Sequence, residues 1–150
     1  MTAVRVMIVD DSVTMRAMLE QVMSADDGCH VVGIAADAET ALRLMKPSWP
    51  DVMTLDLTMP GIGGLQFLRD IDGQRHPPIV VVSSTSKAGT QESAQAIEAG
   101  ASACFDKADL LADARRFMRV LRKAAQSKSV PIRRGPGGHG SVAVIANAEA

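Results

Sequence analysis

The 150-residue chain predicts an α/β fold, a doubly wound sandwich built on one parallel sheet. Two observations carry that prediction. Short runs of β-branched or otherwise apolar residues alternate five times with longer stretches whose apolar residues recur at every third or fourth position. The chain is also 47% hydrophobic and 22% charged, enough to bury one core without disulfides or metal staples. Strands that alternate with helices must pair in parallel, and parallel sheets are covered on both faces.

Each element can be read in order. The first strand is residues 4–9, followed by a helix capped by Ser12 that turns Met15, Met18, Leu19, Val22 and Met23 inward. The second strand is 29–34, and Asp37 caps a second helix with Ala38, Ala41, Leu42 and Met45 inward. The third strand, 51–55, leads to a helix over 62–71 that uses Leu65, Phe67, Leu68 and Ile71. The fourth strand, 79–82, precedes an Ala-rich helix over 88–99, stopped by Gly100. The fifth strand, 101–105, leads to a helix over 108–125 carrying Leu111, Ala114, Phe117, Met118 and Leu121. Right-handed crossovers then restrict the topology to a flavodoxin-like (βα)5 arrangement with a five-stranded parallel sheet in the order 2-1-3-4-5.

Residues 1–126 are expected to form this one domain, and 127–150 a flexible tail or linker. Residues 127–140 hold two prolines, four glycines and three basic residues with no periodicity. The run 141–146 could form a short strand with nothing beyond it to pair with.

Several function classes are excluded by composition. No apolar run nears the roughly 18 residues of a membrane span, and the N-terminus does not read as a signal peptide, so a cytoplasmic protein is expected. A net charge of −1 gives no reason to expect nucleic acid or an anionic membrane as partner. Cys29 and Cys104 are expected to be buried free thiols. Zinc is not expected, because His30, His76 and His139 are isolated and no Cys-x-x-Cys pair exists. The nine methionines read as core filler, and the Arg115, Arg116, Arg119, Arg122, Lys123 series as a solvated helix face.

Functional groups in an open parallel sheet gather beyond the carboxyl ends of its strands. Here the first strand ends in Asp10-Asp11, the third in Asp56, the fourth in Ser83-Ser84, and the fifth is followed by Asp106-Lys107. In the predicted order the first and third strands are neighbours, so three carboxylates converge. They would repel one another unless a cation sat among them, and hard oxygen ligands favour magnesium. A phosphoryl group arriving at a carboxylate also needs a positive side chain and hydrogen-bond donors. Asp56 would then be the nucleophile, Asp10, Asp11 and Asp56 would hold Mg2+, and Lys107 and Ser84 would hold phosphoryl oxygens.

The motifs carrying this chemistry resemble the receiver domains of two-component response regulators. They are Val9-Asp10-Asp11-Ser12, Leu55-Asp56-Leu57-Thr58-Met59-Pro60 with Gly64 after it, Val82-Ser83-Ser84, Glu98-Ala99-Gly100-Ala101 and Phe105-Asp106-Lys107. The resemblance covers about residues 4–125. It implies phosphoryl transfer to Asp56 from a sensor histidine kinase or a histidine phosphotransfer protein, with Mg2+ also contacting the backbone carbonyl of Thr58. It implies that Ser84 and Phe105 form a switch pair that remodels the face of helix four, strand five and helix five, where a downstream protein docks. The chain would act as a monomer or weak dimer, without an enzymatic output beyond its own phosphorylation and dephosphorylation. One departure stands out: Ala108 occupies a position where the family usually has proline, often after a cis bond, so a trans peptide is expected.

A narrower resemblance is to the receiver half of chemotaxis methylesterases, through Val80-Val-Val-Ser-Ser84, Val32-Gly33-Ile-Ala-Ala36 and Gly64-Leu-Gln-Phe-Leu68. The tail is similar to their linker, but Asn147 stands where a nucleophilic serine would be, so no esterase activity carries over. A stand-alone chemotaxis-type receiver and the regulatory fragment of a methylesterase-like protein both fit. The rival from another class is an aspartyl-phosphate phosphatase of the haloacid dehalogenase type. That pattern requires Asp-x-Asp, where this chain has adjacent Asp10-Asp11. A nucleotide-binding module fails for want of a Gly-rich phosphate loop.

Overall fold

The computed structural model describes residues 3–59, 61–84 and 91–127. Its elements, in chain order, are β1 (Val4–Val9), α1 (Val13–Ser24), β2 (Cys29–Ala35), α2 (Ala38–Ser48), β3 (Val52–Leu55), α3 (Gly64–Ile71), β4 (Ile79–Ser83), α4 (Gln91–Glu98), β5 (Ala103–Asp106) and α5 (Ala114–Gln126). A single 3-10 turn, Lys107–Asp109, follows β5. The five strands form one parallel sheet in the order β2-β1-β3-β4-β5, as the alternation predicts. The expected linker beyond Ser127 and the tail strand, the start of the fourth helix at 88–90, and Pro60 lie outside the described residues.

Strand periodicity divides the core into two layers. Met7, Val9, Met53, Leu55, Ile79 and Val81 point to one face, where Ala41, Met45, Phe67, Leu68 and Ala96 from α2, α3 and α4 cover them. Val6, Ile8, Val52, Val80 and Val82 point to the other, beneath Leu19, Val22 and Met23 of α1 and Phe117, Met118 and Leu121 of α5. Six of the methionines (Met7, Met23, Met45, Met53, Met59 and Met118) are buried in these layers, which agrees with their reading as core.

Local chemistry sets the helix starts. Ser12 Oγ accepts from the Met15 amide at 3.2 Å, and Asp37 Oδ1 accepts from Thr40 at 2.7 Å, so both expected caps are present. Gly100, at φ +119°, ends the stretch after α4. Trp49 closes α2 in the left-handed region at φ 35°, an uncommon conformation for a bulky residue. The Arg5 guanidinium donates to the carbonyls of Ser48 and Trp49 at 2.6 and 2.7 Å and holds that turn.

Four expectations need correction. The helix expected over 108–125 is two pieces, because Asp106 and Asp113 each cap a separate start. Asp106 Oδ1 accepts from Ala108 at 2.9 Å, and Asp113 Oδ1 from Arg116 at 3.4 Å. Leu111 falls in the intervening turn and is 61% exposed. Leu42 is exposed as well, since Ala38, Ala41 and Met45 fill the inward side of α2. The third helix begins at Gly64 and not at Ile62, because Gly61 turns at φ +73° and Gly63 remains extended as the N-cap. Cys29 is buried, whereas Cys104 is only half-buried, and both are free thiols.

The junction between β3 and α3 is tight. A Cβ on Gly64 would sit 2.3 Å from the Asp56 carbonyl oxygen and 2.7 Å from the Leu57 Cα, both backbone atoms that cannot swing away. Alanine would gain up to about 1 kcal/mol in helix propensity. Overpacking costs about 1–3 kcal/mol and should outweigh it. Gly64→Ala is therefore expected to lower the urea midpoint; a midpoint equal to or above that of the wild type would show that the junction yields.

Candidate functional site

The sheet register assembles the site. Val9 pairs with Leu55 across β1 and β3, so the residues that follow them, Asp10 and Asp56, leave the sheet side by side. Their backbones remain tied to it: the Asp10 amide donates to Ala35 and the Asp56 amide to Val9, each at 3.0 Å. Asp10 and Asp56 are 1% and 2% exposed, while Asp11 faces solvent. One oxygen from each of these three carboxylates lies within 4.8 Å of the others, a donor set that suits a hard divalent cation.

Lys107 reaches the same point from beyond β5. Its Nζ is 3.4 Å from Asp10 Oδ2 and 3.6 Å from Asp56 Oδ2, and its side chain is 16% exposed. Thr58 holds the other Asp56 oxygen, its amide and hydroxyl donating to Oδ1 at 3.1 and 3.2 Å. The Ser12 amide donates to Asp10 Oδ1 at 2.8 Å. Burial lifts the Asp56 carboxyl above the usual carboxylate range, and the charge of Asp10 adds to the rise; the Thr58 bonds and Lys107 oppose it.

The structure thus brings together Asp10, Asp11, Asp56, Thr58 and Lys107 of the residues singled out from sequence. Ser84 lies just past the end of β4, exposed, and no hydrogen bond joins it to Asp56 among the described residues. Phe105 is buried on β5, packed edge-on against Phe117 with ring centroids 5.1 Å apart. The guanidinium of Arg116 lies 4.4 Å from the Phe105 ring centroid and is paired with Asp109 and Asp113 at 3.5 and 3.0 Å. The face expected to be merely solvated therefore contributes one arginine to the aromatic packing, and a second, Arg122, pairs with Asp26. The peptide bonds of the described residues are all trans, including the one before Ala108. The Ala108 amide donates to Asp106, a bond that proline could not make.

Sequence reasoning missed Arg16, whose Nη1 donates to the Asp10 carbonyl at 2.8 Å. A signal was available. Helical side chains lean toward the N-terminus, so a long cation at the end of the first turn of α1 reaches back to the end of β1.

A parallel sheet whose carboxyl edge carries an all-oxygen acidic cluster beside an inward lysine defines an acidic site, only part-neutralised by that lysine, at a topological switch point. A family model described as the response regulator receiver domain matches residues 6–119, and the chain belongs to that family. The protein-glutamate methylesterase/protein-glutamine glutaminase 1 of Chromobacterium violaceum is 38% identical over 138 residues, spanning 88% of this chain and 38% of that protein. The chain thus spans less than two-fifths of the length of the curated relatives it matches. The crystal structure of the response regulator domain of Thermotoga maritima CheB superposes with a TM-score of 0.77 at 28% identity, covering 83% of this chain and 97% of that one. That of the CheX-CheY-BeF3-Mg+2 complex from Borrelia burgdorferi does so with a TM-score of 0.63 at 29% identity, covering 79% and 90%. No described helix is long and apolar enough to cross a membrane.

The raised Asp56 carboxyl has a consequence for stability. The folded state binds this proton more tightly than the unfolded chain, so stability falls as pH rises from the unfolded value of about 3.9 through the higher folded value. The cost is present at every pH above the folded value. Asp56→Asn is therefore expected to melt higher than the wild type at pH 7. The difference should shrink as pH falls toward 4 and when a divalent cation is added. Thermal melts at several pH values, with and without MgCl2, check it; an Asn variant that is less stable at pH 7 would contradict it.

Proposed function

We propose that this chain is a phosphorylation-controlled signalling module whose Asp56 accepts a phosphoryl group from a histidine kinase or a histidine phosphotransfer protein. The observation that carries the reading is the buried pair Asp10 and Asp56 with Lys107 between them, open to a divalent cation through exposed Asp11. The three carboxylates and the Thr58 carbonyl would hold Mg2+, whose charge offsets that of the incoming phosphoryl oxygens. An Asp56 oxygen attacks phosphorus and the P–N bond to the donor imidazole breaks, leaving neutral histidine after protonation. Lys107 and Ser84 bind the oxygens of the transferred group. Ser84 turns inward to do so, and with Phe105 it forms the switch pair that alters the face of α4, β5 and α5 for a downstream protein.

The module works in the cytoplasm as a monomer or weak dimer, catalysing only its own phosphorylation and dephosphorylation. The match to methylesterases supports a second form of the same reading, in which the chain is the regulatory portion of a methylesterase-like protein.

Intact-mass measurement after incubation with acetyl phosphate and MgCl2 tests the proposal. The wild type should gain a labile adduct of about 80 Da, one phosphoryl group on a carboxylate. That adduct should be absent in Asp56→Asn and absent without metal. A folded protein that forms no adduct and binds no beryllofluoride would overturn the reading. An adduct that survives in Asp56→Asn and maps to Asp10 or Asp11 would point instead to the phosphatase chemistry.

A further inference from the structure

Two of the three clustered carboxylates are consecutive residues, and one peptide group joins them. The side chains of Asp10 and Asp11 leave that group in different directions, the first 1% exposed and the second facing solvent. Both can offer an oxygen to one ion only if the plane of that peptide is fixed. Its carbonyl is the Asp10 oxygen, which accepts from Arg16 Nη1 at 2.8 Å. The remaining tethers act on either side of it: the Ser12 amide on Asp10 Oδ1, the Ala35 carbonyl on the Asp10 amide, and the Arg16 amide on the Ser12 carbonyl at 2.9 Å. Arg16 itself is half-buried, so its guanidinium is held close to the strand end.

We propose that Arg16 is a positioning residue for the cation site: it sets the Asp10–Asp11 peptide so that both carboxylates converge on one ion. The inference rests on the proposed metal-assisted reading of the site. It makes a prediction opposite in sign to simple electrostatics. A positive charge near a cation site weakens binding, so deleting Arg16 should tighten it if charge were all that mattered. If positioning dominates, deletion weakens it, as loss of a group that orients metal ligands commonly does by 10-fold or more.

The experiment is a MgCl2 titration followed through the amide NMR shifts of Asp11 and Ser12, on the wild type, Arg16→Met and Arg16→Lys. Methionine keeps the length and apolar stem without donor or charge, and lysine keeps a single donor. Arg16→Met should bind Mg2+ roughly 10-fold more weakly with a native-like spectrum elsewhere, and Arg16→Lys should recover much of the loss. In acetyl phosphate labelling, the Mg2+ concentration for half-maximal rate should rise while the rate at saturating Mg2+ stays near that of the wild type. Unchanged or tighter Mg2+ binding by Arg16→Met would overturn the inference, as would equal weakening by lysine and methionine. A wild type that shows no shift with MgCl2 would instead defeat the reading on which the inference rests.

Discussion

Repulsion among Asp10, Asp11 and Asp56 is the constraint to which the rest of this edge of the molecule responds. Two unit charges within about 5 Å, at the effective dielectric of a protein surface, oppose each other by roughly 3–4 kcal/mol. Parallel pairing of β1 with β3 nonetheless forces Asp10 and Asp56 together, because the residues following Val9 and Leu55 must leave the sheet at the same level. Lys107 answers part of that charge, and the amides of Ser12 and Thr58 answer another part by donating to the carboxylate oxygens. Burial lifts the Asp56 carboxyl above its usual range and the charge of Asp10 adds to the rise; what remains unbalanced is negative, which is why a divalent cation suits the site.

The same edge is mechanically tied to the α5 side of the sheet. Lys107 is two residues beyond Phe105, and Phe105 is held between Phe117 and the guanidinium of Arg116. Arg116 is in turn anchored by Asp109 and Asp113, the residues that bracket the turn between β5 and α5. A change in charge at Asp56 therefore acts on a lysine whose backbone continues directly into this aromatic packing. The Ala108 amide, bonded to Asp106, gives that loop a tether that a proline would remove.

Much of this was legible in the sequence because it follows from periodicity. Alternating strands and helices gave the sheet order, and strand ends gave the acidic cluster, since residues after β-branched runs at adjacent strands must meet. The caps Ser12 and Asp37 were readable because a side-chain oxygen before an apolar helical pattern has one obvious use. The broken fifth helix was not, because helical apolar spacing continued through the turn and concealed two competing caps at Asp106 and Asp113. Leu42 was placed inward on spacing alone, where the choice between adjacent positions on α2 depends on packing against the sheet. Arg16 and the stacking of Arg116 were missed for a common reason: both are long side chains whose contacts depend on where other elements lie.

The most direct test of the charge account is a 13C NMR titration of the Asp56 side-chain carboxyl, made with and without MgCl2 on the otherwise unmodified protein. Without the metal, the carboxyl should titrate above the usual range of about 3.5–4, and saturating Mg2+ should move the midpoint down. An Asp56 that titrates at an ordinary value and is indifferent to Mg2+ would contradict the claim that burial and unbalanced negative charge together govern this site.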